Sequence, residues 1–97
     1  MRVTLADTAK ADLVALSAFI GRDSPARASA FVSRLKRQCR SLSENFLRNP
    51  VFSRSENDSI HKAIYREYII FYKVMADRVV ILRIVHGARD LDAIFDP

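Results

Sequence analysis

One stretch constrains the fold of this chain more than any other. In IIFYKVMADRVVILRIVH, residues 69–86, two β-branched and aromatic runs flank the turn MADR, and little else in them is polar apart from Lys73, Arg83 and the terminal His86. Such runs favour strands, and so short a connection makes the two strands antiparallel neighbours. Because side chains alternate across a strand, runs this continuous are apolar on both faces. A sheet built around them needs two covers, and a chain of 97 residues has little with which to make the second.

Upstream the hydrophobic period changes. RVTL, residues 2–5, reads as a short strand, after which Ala9, Leu13, Leu16 and Ile20 recur at helical spacing. Asp7 or Thr8 is expected to cap this first helix, and Gly21 to end it in the left-handed conformation that glycine accepts. Ser24 and Pro25 open a second helix, as N-cap and first-turn proline. Its apolar stripe of Phe31, Leu35, Cys39, Leu42 and Phe46 runs to about residue 46. The short connection RDS predicts an antiparallel helical hairpin. Residues 46–59, with Pro50 and SENDS, read as the loop that leaves it. Strands are then expected over Ile60–Tyr65, Tyr68–Val74 and Arg78–Val85.

The expected architecture is α+β: a single domain over residues 1–97, with an N-terminal short strand and an antiparallel helical hairpin packed on a three- to four-stranded antiparallel sheet. With 49% hydrophobic residues the chain can bury one core without disulfides or metals. Its single cysteine, Cys39, cannot form an internal bridge and lies on the core stripe, so it reads as a small buried hydrophobe. No His/Cys spacing suits a metal, two glycines exclude a glycine-rich phosphate loop, and no cofactor is expected. The chain has neither a secretory signal at its start nor an apolar run long enough to cross a bilayer, so a cytoplasmic protein without membrane contact is expected. A net charge of +5 suits an anionic partner, nucleic acid or an acidic protein segment. Arg34, Lys36, Arg37 and Arg40 on the outer side of the second helix, with Arg27 and Arg48 near its ends, form either such a contact or a solvated face.

Regular alternation puts Val80, Leu82 and Ile84 on one side of the last strand and Val79, Ile81 and Val85 on the other, with Arg83 among them. In the strand before it, Ile70, Tyr72 and Val74 oppose Ile69, Phe71 and Lys73. The hairpin covers one face. The other, bearing Ile69, Phe71, Lys73, Val79, Ile81, Arg83 and Val85, is expected to stay open as a docking site for a partner chain.

The element order, together with DSPARA at the second helix, YIIFYKV at residues 68–74 and ILRIVHGARD at residues 81–90, resembles the ParE branch of the ParE/RelE toxin superfamily over nearly the whole chain. HGARD after an ILR strand is the most specific element. The sequence departs from the family pattern at His61, where an arginine is frequent, at Arg66, where the turn often has glycine, and at Phe52–Arg54, where a glycine commonly precedes the arginine. The resemblance implies the toxin half of a type II toxin–antitoxin pair, neutralised by a cognate antitoxin whose flexible carboxyl-terminal segment wraps the toxin. It also implies DNA gyrase as the target.

The alternative within the superfamily is a RelE-type, ribosome-dependent mRNA endonuclease. RelE-like sequences have an arginine after the third-strand tyrosine, a basic residue at the end of the last strand and a tyrosine beyond it. Here those positions hold Ile69 and Gly87, and no tyrosine follows Tyr72. A nuclease built on this chain would have to use Arg83, His86 and Arg89, a weak set, so a binding-type, non-enzymatic toxin is expected. Direct nucleic-acid binding is not, since no recognition-helix motif is present.

Overall fold

The computed structural model describes residues 1–54 and 59–87. In chain order its elements are β1 (Arg2–Leu5), α1 (Asp7–Gly21), α2 (Pro25–Asn45), β2 (Val51–Arg54), β3 (Ser59–Tyr65), β4 (Tyr68–Val74) and β5 (Arg78–His86). The Ser24 hydroxyl accepts from Arg27 N at 3.2 Å with Pro25 in the first turn, the cap expected for α2. The start of α1 is different: Ala6 is its N-cap and no side chain caps it. The Thr8 hydroxyl donates instead to Leu82 O, 2.7 Å away on β5. Nor does Gly21 use the left-handed region, since no described glycine has a positive φ.

Five described strands form one sheet in the order β1-β5-β4-β3-β2. The helical hairpin and the three predicted C-terminal strands stand where they were expected. Two features enlarge the sheet. β1 joins β5 in parallel, Arg2 opposite Arg78 through Leu5 opposite Ile81, so the sheet is mixed. Part of the expected loop, Val51–Arg54, forms β2 against β3. α2 ends at Asn45, and beyond the turn that follows it the Pro50 carbonyl accepts from Lys62 N at 3.1 Å, which starts that pairing.

A bulge decides which side chains β5 turns to the helices. Phe71 pairs with Arg83 but Tyr72 pairs with Ile81, so Leu82 is an extra residue between them. An inserted residue reverses the facing of everything on one side of it. Before the bulge, Val79 and Ile81 face the helices, both fully buried. After it, Ile84 does. The expected alternation is therefore corrected at Val79, Val80, Ile81 and Leu82, while the β4 assignment stands. The helix-side core joins Ala9, Leu13 and Leu16 of α1 and Phe31, Leu35, Cys39 and Leu42 of α2 to Ile70, Tyr72, Val79, Ile81 and Ile84 of the sheet. On the opposite face Ile69, Phe71 and Val85 form a smaller cluster, with Ile60 packed against it.

Beyond Leu5, β1 no longer covers the edge of β5, and α1 takes over. Ala6 N donates to Ile81 O at 2.9 Å, Thr8 Oγ1 to Leu82 O, and Ile84 N donates to Asp12 Oδ2 at 2.9 Å. Helix side chains thereby continue the hydrogen bonding of the ladder, which satisfies backbone groups that a strand end would leave bare.

Candidate partner-binding surfaces

The residues expected to line an open apolar face are mostly not available to a partner. Val79 and Ile81 belong to the helix-side core. Phe71 is fully buried, Val85 is 2% exposed and Ile69 9%. Lys73, opposite Val80, is half-buried on the same face. Among the described residues Ile64, paired with Ile69, is a large apolar side chain exposed on that face, 69% accessible.

Of the three nuclease candidates, Arg83 and His86 point to opposite faces of the sheet. Arg83 shares the face of Phe71, its pairing partner, whereas His86 pairs with Tyr68 and meets that ring edge-on at 5.7 Å between centroids. Tyr68 in turn packs on Phe31 of α2, with centroids 4.9 Å apart, so His86 is turned toward the helices. The Arg83 guanidinium is held by Asp12 in a fork, Nε to Oδ2 at 2.8 Å and N–H to Oδ1 at 2.9 Å. Two parallel charge-assisted bonds fix its orientation, and the same carboxylate ties down the bulged strand at Ile84 N. Arg89 lies outside the described residues.

Ile69 and Gly87, at the two positions where RelE-like sequences have basic residues, pack on each other. Gly87 N donates to Glu67 O at 2.9 Å, and a Cβ on Gly87 would come within 3.2 Å of Ile69 Cδ1. The contact is apolar, and neither residue supplies a cation.

Near the end of α2 a buried aromatic group draws elements together. The Tyr72 hydroxyl donates to Phe46 O at 2.7 Å, and His61 stacks on its ring at 5.2 Å while its Nδ1 sits 3.1 Å from Asn49 O. Burial raises the Tyr72 hydroxyl above its ordinary value, against a smaller lowering by Asn49. The Cys39 thiol is pushed up to about 11 by burial, with Arg40 opposing the shift weakly. This suits an inert core residue, as expected from its stripe.

An apolar surface unforeseen in the sequence lies beside β1. Val3 and Leu5 of β1, Leu13, Val14 and Ala18 of α1 and Val32 of α2 line a groove of about 860 Å³, with Lys10 and Lys36 also lining it. Val14 is 70% exposed. β1 stands at the sheet edge, bonded to β5 alone. A signal was present: Val14 falls off the stripe of α1, an apolar residue outside the core, while Val32 flanks the stripe of α2 and packs at the core's margin.

The sequence matches the family model described as ParE toxin of type II toxin-antitoxin system, parDE, over residues 3–91. No match was found among curated proteins. Among solved structures, one described as "Chromosomal ParDE TA system from P. aeruginosa" superposes with a TM-score of 0.71, covering 89% of this chain and 95% of that chain at 19% identity. That likeness speaks for the fold. The family match covers nearly all of the sequence, including the helical hairpin, the sheet and the HGARD stretch, and the chain therefore belongs to the ParE toxin family of type II toxin–antitoxin systems.

Proposed function

We propose that the chain is a toxin that acts in the cytoplasm by binding, not by cutting RNA, that its target is DNA gyrase, and that a cognate antitoxin neutralises it. The observation that carries the choice of binder over nuclease is the packing of Gly87 on Ile69, which replaces two cations of a RelE-type site with an apolar contact. The engagement of Arg83 by Asp12 supports it, since a guanidinium already committed to a carboxylate is poorly placed to hold a phosphate. Gyrase as target rests on family membership. The purified protein should slow gyrase supercoiling and leave ribosome-bound messages intact in a translating extract. Codon-positioned cleavage would reverse the choice.

The surface that best suits the antitoxin is the groove beside β1, in place of the sheet face first expected. It offers apolar side chains accessible without unfolding, a free strand edge for an extended segment, and Lys10 and Lys36 for acidic residues. A flexible, acidic, partly apolar carboxyl-terminal segment fits all three features, burying its own side chains as it orders. Replacing Val14 with aspartate and Lys36 with glutamate should weaken antitoxin affinity by about a hundredfold or more without loss of fold, because both side chains are exposed. The matched control is Ile64→Asp with Lys73→Glu on the far face of the sheet. Loss of affinity in the control and not in the groove variant would place the antitoxin on the sheet.

A further inference from the structure

On the flank of α2 away from the groove, a second cleft of about 230 Å³ opens between α2, the end of α1 and the β3–β4 turn, lined by Arg27, Phe31, Arg34, Tyr65 and Arg66 among others. Three arginine side chains line it, and none forms an ion pair among the described residues. Arg27 uses only its backbone N–H, at the Ser24 cap, and Arg66 lies over the Tyr65 ring at 5.5 Å. The Nε of Arg34 is buried and has no acceptor. A buried N–H without a partner is costly to maintain, and three like charges around one cleft favour an anion there.

The turn adds an independent observation. Arg66 is the one described non-glycine residue with a positive φ, 56°, in a two-residue hairpin connection between Tyr65 and Tyr68. Glycine adopts that conformation freely and arginine does not. A strained conformation that brings a cation to a cleft already holding two others is the kind of feature that recognition sites retain.

We propose that the Arg27/Arg34/Arg66 cleft binds the phosphoryl group of a small phosphorylated ligand. A tetrahedral oxyanion can accept from several guanidinium forks at once, which a single carboxylate does less completely. Glu67 also lines the cleft, and with it the lining stays net positive, two charges from three arginines and one glutamate. The volume lies below the roughly 300–1,000 Å³ of clefts that enclose drug-sized ligands, so the site takes a phosphate with little attached. The assignment goes beyond the toxin reading and does not depend on it, since the antitoxin groove uses Val32 and Lys36 on another side of α2.

The test is an NMR titration of the intact chain at low ionic strength with inorganic phosphate, with AMP, with a short single-stranded oligonucleotide and with a glutamate-rich peptide. Saturable shifts of the Arg34 Nε–H resonance with phosphate or AMP are expected, the stronger of the two telling the free anion from its ester. Arg34→Gln and Arg66→Gly should each weaken binding about tenfold or more, with Arg34→Lys recovering part of the loss. Arg66→Gly should at the same time leave the melting temperature unchanged or raise it, which a merely structural role for Arg66 would not produce. No saturable shift with phosphate and AMP, or affinities unchanged in both loss variants, would overturn the assignment. So would tighter binding of the oligonucleotide or of the acidic peptide than of AMP, which would make the cleft a macromolecular contact.

Discussion

The two faces of the sheet are buried by different means. The helix-side face meets two amphipathic stripes, and its core runs without interruption from Ala9 on α1 to Ile70 on β4, with no described polar or charged residue buried in it. The far face is narrow. There Ile69, Phe71 and Val85 are buried, but in the register their neighbours include Lys62 opposite Phe71, Arg83 opposite Phe71 on the other side, and Lys73 opposite Val80. Apolar content alone does not mark a docking surface: this apolar strip of β4 and β5 is closed, while an accessible apolar groove lies at a sheet edge, beside a helix whose core stripe resembles any other.

The largest expected difference between the two faces is in stability. Leu35→Ala removes a fully buried side chain from the middle of the helix-side core and should cost about 3 to 5 kcal/mol in urea unfolding, whereas Val85→Ala on the far face should cost about 1 to 2. Equal costs would mean that the far cluster is as well packed as the main core. Serine at Ile81 belongs with the first group, because the bulge turns Ile81 to the helices, and it should unfold the protein instead of merely weakening a partner.

Cys39 gives the helix-side core a pH signature. Its thiol, ordinarily near 9, is raised to about 11 by burial, so the folded state holds the proton more tightly than the unfolded chain does. The contribution is complete below pH 9 and is lost as pH rises toward 11, by about 3 kcal/mol in all. Denaturant midpoints of the protein and of Cys39→Ser, compared from pH 8 to 11, should converge as the thiol ionises. Parallel curves would indicate that water reaches the thiol.

Asp12 joins the two faces at the β5 edge. Asp12→Ala removes both bonds to Arg83 and leaves Ile84 N–H without its acceptor, and should cost about 2 kcal/mol. Amide exchange at Ile84 should rise more than at Ile70. If it does not, the helix side chains are not sustaining the ladder. The smallest effect is expected at the end of the far face, where Gly87→Ala presses on Ile69 Cδ1. A terminal methyl can yield by a few tenths of an ångström, so the cost should be about 1 kcal/mol, seen as a melting shift of a few degrees.

Much of this molecule is determined locally, and that part was legible. The stripe from Phe31 to Phe46, the Ser24–Pro25 start and the two strands around MADR follow from period, capping chemistry and turn length, each settled within a few residues along the chain. The HGARD ending carried the family. What the sequence could not show is where one strand slips against another. Leu82 is apolar like its neighbours, and nothing in VVILRIV says which residue bulges, because a bulge is settled by the pairing of β5 with β4 and by the α1 side chains that hold its edge. That one residue turned Val79 and Ile81 from a supposed docking strip into core. The groove beside β1 is likewise a product of assembly: Val3, Val14 and Val32 are remote in sequence, and only the parallel pairing of β1 with β5 brings them to one surface. Local physical chemistry thus determined the elements and their family, while long-range register determined which of their apolar faces remained accessible.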